Sequence, residues 1–116
     1  RHTMLRDIFA VRDSINRAPL AINRMDLQTL GYFDEAFSPL EMDDHDLCFR
    51  MHSKLGKVVG SYWIDWYSEP QFGGTRDELG NTKPWVLEAH HKNTKLFFDR
   101  HKESIKRQNI ENRVCI

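Results

Sequence analysis

The chain has 116 residues, enough for one small domain with a modest core. Its 17 basic and 17 acidic side chains cancel, so we expect no nucleic-acid partner, because binders of that class are distinctly basic. With 40% hydrophobic residues the composition is that of a globular protein, and no apolar run approaches the roughly 20 residues of a membrane span. The first residue is Arg1 rather than Met, so we expect a piece of something longer.

The two cysteines, Cys48 and Cys115, lie far apart in the sequence, and neither belongs to a CxxC motif. Such a pair does not indicate a disulfide framework or a zinc site. A reducing compartment such as the cytoplasm is the default expectation for a chain of this kind.

The first 22 residues give weak structural signals. Residues 1–13 fit either a short helix or an incoming strand. Residues 14–22 are predicted to be extended, because Pro19 forbids a helix interior and restricts Ala18. A proline in such a stretch is typical of a sheet edge or a strand end.

A short helix is predicted over residues 24–30, because Asn23 is a suitable N-cap and Gly31 a suitable terminator. The aromatic residues of the next segment, 32–37, are expected to anchor a loop to the core. Ser38-Pro39 then predicts a turn before the next helix.

The most informative stretch is Asp43-Asp44-His45-Asp46, which precedes an apolar helical pattern. We predict a helix over residues 43–55 with Gly56 as its C′ residue. Three carboxylates in one turn are unfavourable unless a helix N-terminus, a cation or a shared proton offsets them.

The spacing within this helix separates the acids. Asp46 and Arg50 are four residues apart and are expected to pair along the helix surface. Asp44 lies on the same side as Leu47 and Cys48, the side that must pack inward. That position suits a general base, although a cluster that only complements the helix dipole remains the alternative.

The second half of the chain is predicted as strand, loop and helix. Residues 57–67 are rich in β-branched and aromatic side chains and predict a strand. Residues 68–83 predict a long loop of the kind often used as a lid. Pro84 suits the first position of a helix. Residues 102–116 are expected to be a polar tail that is helical at first and then frays.

Several residues around the long loop are candidates for substrate binding. Gly73 and Gly74 let the backbone approach a ligand, and Arg76 beside them suits a diphosphate, with a solvated loop arginine as the alternative. Glu69, where the predicted strand ends, is a candidate metal ligand. Trp66 can stack on a sugar ring or belong to the core.

Three further residues are candidates for a site but also fit ordinary structural roles. Arg17 can hold an acidic group or a phosphate, or form an ordinary ion pair. His90 and His91 are about 100° apart on a helix, so they do not chelate one metal from one face, and we expect one to be packed and the other solvated.

Together these residues resemble the C-terminal half of a GT-A-fold glycosyltransferase of the broad family 2 type. The resemblance covers roughly residues 14–75. It is carried by Asn16-Arg17-Ala18-Pro19-Leu20, Leu30-Gly31-Tyr32-Phe33-Asp34-Glu35-Ala36-Phe37, Met42-Asp43-Asp44-His45-Asp46-Leu47, Arg50 and Gly56. The family motif usually opens with Glu where this chain has Asp43, a conservative departure.

The resemblance implies an α/β fold, a partial GT-A-like fold with a short mixed sheet and flanking helices, in one domain spanning residues 1–116. By the same analogy Asp44 is the catalytic base, Asp43 orients the acceptor, and Asp46 is part of the substrate site. The family's metal-binding His has no match, which leaves Glu69 as a substitute ligand for a divalent cation (Mn or Mg).

The implied reaction transfers a sugar from a nucleotide-sugar donor to a carbohydrate or other acceptor hydroxyl by inverting single displacement. An Asp-x-Asp motif upstream of the acidic helix is absent, so the resemblance also implies a separate N-terminal nucleotide-binding half. Two alternatives remain: a metal-dependent hydrolase using residues 43–46 with His90 or His91, and a non-catalytic glycan-binding module derived from a transferase.

Overall fold

The computed structural model describes residues 8–16, 20–62 and 79–114, with side chains to residue 107. This part of the chain has a mixed α/β fold, as predicted, with three α-helices and a small sheet. In chain order the elements are β1 (Phe9–Val11), α1 (Arg24–Thr29), a 3-10 turn (Glu35–Phe37), α2 (Asp43–Leu55), β2 (Gly60–Tyr62) and α3 (Pro84–Val114).

The sheet consists of β1 and β2, paired antiparallel with Phe9 opposite Tyr62. The described residues thus contain one antiparallel pair of strands, and the mixed sheet stays a prediction. The long strand predicted over residues 57–67 starts only at Gly60, and its second half lies outside the described residues. Gly60 is required by the pairing, because a Cβ there would collide with Ala10 O and the Phe9 ring.

Local signals place α1 and α2 as expected. The Asn23 side chain accepts hydrogen bonds from the backbone N–H groups of Met25 (2.8 Å) and Asp26 (3.3 Å), which caps α1. Helix α2 spans the predicted residues, and Gly56 ends it with φ 61° while its N–H donates to His52 O at 3.0 Å.

Helix α2 lies between two apolar clusters. Leu47 and Met51 pack with Leu30 on one side, and Phe49 packs with Phe37 and Phe97 on the other. Because these clusters cover opposite sides of the helix, residues 46–51 are all buried. The predicted inward side of this helix is confirmed.

Two expectations about the aromatic segment and the tail need correction. Phe37 is buried and anchors its loop as predicted, but Tyr32 is 53% exposed. The tail does not fray after its first residues, because α3 continues to Val114, with a break in helical geometry at His101 (φ −109°). Ile105 packs against the cluster around Phe37, which gives the polar extension an apolar contact.

No helix in the described part of the chain has the length and apolar character that crossing a membrane requires.

Candidate active site at the start of helix α2

The acidic turn begins with an unusual backbone. Glu41 and Met42 both have positive φ, at 70° and 68°, and Met42 provides no side-chain cap to the helix. The first turn of α2 carries Asp43, Asp44 and Asp46 instead. Negative charge at a helix N-terminus interacts favourably with the unpaired N–H groups there, so the fold itself offsets part of the repulsion among these acids.

Asp44 and His45 form the accessible edge of this turn. The Asp44 side chain is 14% exposed and the His45 side chain 30%. The backbone N–H of His45 donates to Asp44 Oδ1 at 2.9 Å, and His45 Nε2 lies 3.9 Å from the same oxygen. His45 is held in turn by a hydrogen bond with the Ser14 hydroxyl and by an edge contact with the Phe97 ring. Asp44 is therefore held by the backbone of its neighbour and keeps a small exposed fraction.

Asp46 has the opposite environment, because its side chain is completely buried. Its Oδ2 accepts from Arg50 Nε at 2.8 Å, which confirms the predicted pair, although the pair is buried rather than on the helix surface. Its Oδ1 lies 2.6 Å from His101 Nε2 and accepts from Arg100 at 3.3 Å. Both oxygens are engaged within the protein, and substrate contact by Asp46 stays a prediction.

The same ion pair organises the loop after α1. Arg50 donates to Leu30 O at 2.6 Å and to Tyr32 O at 2.8 Å, so its guanidinium bridges two backbone oxygens of this loop. Arg100 extends the network to Asp34 at 2.6 Å, and its guanidinium lies over the Phe37 ring. The acidic helix is thereby tied to the preceding loop and to α3.

A buried asparagine holds the segment that leads into α2. Asn93 on α3 has no solvent exposure, and its amide nitrogen donates to the backbone oxygens of Phe37, Leu40 and Glu41. One side chain thus fixes the backbone on both sides of Pro39. The segment held in this way ends at Glu41, two residues before Asp43, so it sets where the chain enters α2.

Cys48 is not a nucleophile in this structure. Burial raises the pKa of its thiol, and the Sγ lies 3.9 Å from Ile15 O as a weak donor. A buried neutral thiol is unreactive, so Cys48 serves packing beside the acidic turn.

Most of the other predicted substrate-binding residues cannot be compared with the fold. Arg17, Trp66, Glu69, Gly73, Gly74 and Arg76 lie outside the described residues. The expectation for the histidine pair is wrong, because both His90 and His91 are exposed. His90 contacts Glu41, so it lies near the loop that precedes the acidic turn.

The described residues do not fit a metal ion. Within residues 8–16, 20–62 and 79–114, no three His, Cys, Asp or Glu side chains are arranged to hold one. The acids of the turn are divided between an accessible edge and a buried ion pair, so they do not converge on one point.

Arg100, His101 and Asn93 were missed in the sequence. A signal for two of them exists, since Asn93 and His101 continue the helical spacing of the buried Val86, Ala89 and Phe97. A polar residue on an apolar stripe needs a buried partner, and here the partners are the loop before α2 and Asp46.

The ion network predicts a loss of stability in acid. The pKa of Asp46 is lowered because, although burial opposes ionisation, hydrogen bonds and charge from His101 and Arg50 outweigh it. The pKa of Asp34 is lowered by the Ala36 N–H and by Arg100. A carboxylate with a folded pKa below its unfolded value stabilises the fold above the unfolded value and loses this contribution as pH falls.

We expect the urea midpoint of unfolding to fall steeply as pH drops below the ordinary aspartate value of 3.8. The measurement is a series of urea titrations followed by circular dichroism from neutral to acidic pH. The Asp46→Asn variant serves as control. Its urea midpoint should fall less steeply with decreasing pH, because it lacks the Asp46 carboxylate. Equal slopes in both proteins would contradict the assignment.

Comparison with known protein families, with characterised proteins and with solved structures gives no match to this chain.

Proposed function

We propose that the chain is the acceptor-side part of a glycosyltransferase in which Asp44 is the general base. The observation that supports this most is that Asp44 and Asp46, two carboxylates of one helical turn, have different surroundings. Asp46 is fully buried and held by Arg50 and His101, whereas Asp44 is oriented by the His45 N–H and stays accessible. A base must be both fixed and reachable.

The reaction follows from that placement. The Asp44 carboxylate takes the proton from the acceptor hydroxyl as its oxygen attacks the anomeric carbon of a nucleotide-sugar. The bond from that carbon to the nucleoside diphosphate breaks, and positive groups stabilise the departing diphosphate. Arg76 is the candidate for this role, and Gly73 and Gly74 beside it stay predicted donor-binding residues. Attack opposite the leaving group inverts the anomeric configuration.

Asp43 and the surrounding network have supporting roles in this proposal. Asp43 precedes the base on the same turn and would orient the acceptor. Asn93 and Arg50 act through the backbone. Asn93 binds the segment that leads into α2, and Arg50 binds the loop after α1. They are positioning residues rather than catalytic ones.

The test is a transfer assay on the complete protein with a panel of radiolabelled nucleotide-sugars and oligosaccharide acceptors. We expect a glycosylated product with inverted configuration, identified by NMR of its anomeric proton. Release of phosphate from a simple phosphate monoester without any sugar transfer would overturn the proposal in favour of a hydrolase. Within the described residues no three His, Cys, Asp or Glu side chains are arranged to hold the metal ion that such a hydrolase would use.

A further inference from the structure

A second feature lies away from Asp44. A cleft of about 850 Å³ separates the loop after α1 from the later part of α2 and from α3. Tyr32, Ser53, Lys54 and Arg100 line it. Ser53 follows Asp44 by nine residues on α2, which corresponds to about 14 Å along the helix axis. The cleft therefore extends away from the candidate base.

The rim of this cleft is formed by a strained turn. Tyr32 has φ 68° and directly follows Gly31, which has φ 79°. A left-handed backbone is unfavourable for a residue with a side chain, and such residues persist only where their surroundings hold them. Arg50 does so by binding Leu30 O and Tyr32 O, on either side of Gly31. A buried ion pair thus fixes a turn that presents a 53% exposed aromatic ring.

The charges of the cleft are nearly balanced. Arg100 is paired with Asp34 at 2.6 Å, and the charge of Arg50 is matched by buried Asp46. Lys54 and Glu35 form no ion pair with any residue in the described ranges, which leaves one cation and one carboxylate. This balance does not favour a multiply charged anion. It provides both donors and acceptors for hydroxyl groups beside an aromatic face.

We propose that this cleft is a binding site for a neutral oligosaccharide, with the Tyr32 ring as its stacking platform. The apolar face of a sugar ring packs on the aromatic side chain, and its hydroxyls exchange hydrogen bonds with Arg100 and the carboxylates of Asp34 and Glu35. The cleft volume is in the range of small-molecule sites. Binding here does not require Asp44, so the proposal stands apart from the chemistry of the acidic turn.

The experiment is an NMR titration of the isotopically labelled chain with maltotriose, cellotriose, chitotriose and mannotriose. We expect at least one trisaccharide to shift the resonances of Tyr32 and Arg100. Tyr32→Gly removes the ring and also relieves the strained backbone, so it should weaken binding about 10-fold or more while the melting temperature stays equal or rises. Tyr32→Phe should retain binding, because the ring remains.

Tyr62→Ala is the matched control, since Tyr62 is also 53% exposed but lies on β2 and does not line the cleft. It should bind as the unaltered chain does. The proposal is overturned if no trisaccharide binds at millimolar concentration, or if Tyr32→Gly binds normally. Tyr32-dependent binding of uridine diphosphate alone would reassign the cleft to a nucleotide. Asp44→Asn should leave trisaccharide binding unchanged, so this result is separable from any loss of transfer.

Discussion

If Asp44 is the general base proposed above, Asp44→Asn in the complete protein is expected to lower kcat for sugar transfer by about 10²- to 10⁴-fold, the usual contribution of such a base. The amide has nearly the same shape as the carboxylate but cannot accept the acceptor's proton. It can still accept the 2.9 Å hydrogen bond from the His45 N–H, so the turn should keep its geometry. The measurement is the steady-state rate of sugar transfer at saturating donor and acceptor.

Two controls separate chemistry from folding in this experiment. The free energy of unfolding of Asp44→Asn should change by only about 0.3 to 1 kcal/mol, the value of one charge at a helix N-terminus. Asp43→Asn should mainly raise KM for the acceptor, because the role proposed for Asp43 is to orient it. Near-normal turnover of Asp44→Asn would remove this residue from the mechanism.

Asp46→Asn is expected to destabilise the protein by about 3 to 5 kcal/mol, because it leaves buried cationic partners without their anion. The side chain of Asp46 is fully buried, and that of Arg50 is only 10% exposed, so water cannot replace the lost charge. The whole stability of a domain is typically about 5 to 15 kcal/mol, which makes this a large fraction of it. Urea unfolding at neutral pH gives the difference directly.

Asp99→Asn is the matched control for this prediction. Asp99 also pairs with a residue four positions away, Lys95, but both side chains are more than half exposed. Such a surface pair contributes about 0.2 to 1 kcal/mol, so the same substitution should have little effect. Equal costs for Asp46→Asn and Asp99→Asn would mean that Asp46 is not buried in an ion network.

The sequence predicted the local features of the fold well. The N-cap at Asn23, the helix end at Gly56 and the helix start at Pro84 all depend on residues that act within a few positions of themselves. The inward side of α2 followed from helical periodicity in the same way. The start of β2 did not, because strand boundaries depend on the partner strand, and in the described residues β1 ends at Val11, opposite Gly60.

The candidate site could be predicted only in part. The spacing of Asp46 and Arg50 indicated a pair, but nothing nearby in the sequence indicated that the pair is buried. Its burial depends on His101 and Arg100, which are 55 and 54 residues away and follow the apolar stripe of the helix predicted from Pro84. Partners at such distances are set by the packing of α3 on α2, which local patterns do not encode.

The reach of Asp46 to α3 also determines when this region can assemble during synthesis. Arg100 is added to the chain 54 residues after Asp46. At a translation rate of 5 to 20 residues per second this delay is about 3 to 11 s. Helix α2 can form in that interval. Burial of the Asp46 carboxylate stays unfavourable until its other two partners, Arg100 and His101, have been added to the chain. We therefore expect the acidic turn to remain solvated on the ribosome and to become ordered only after α3 emerges.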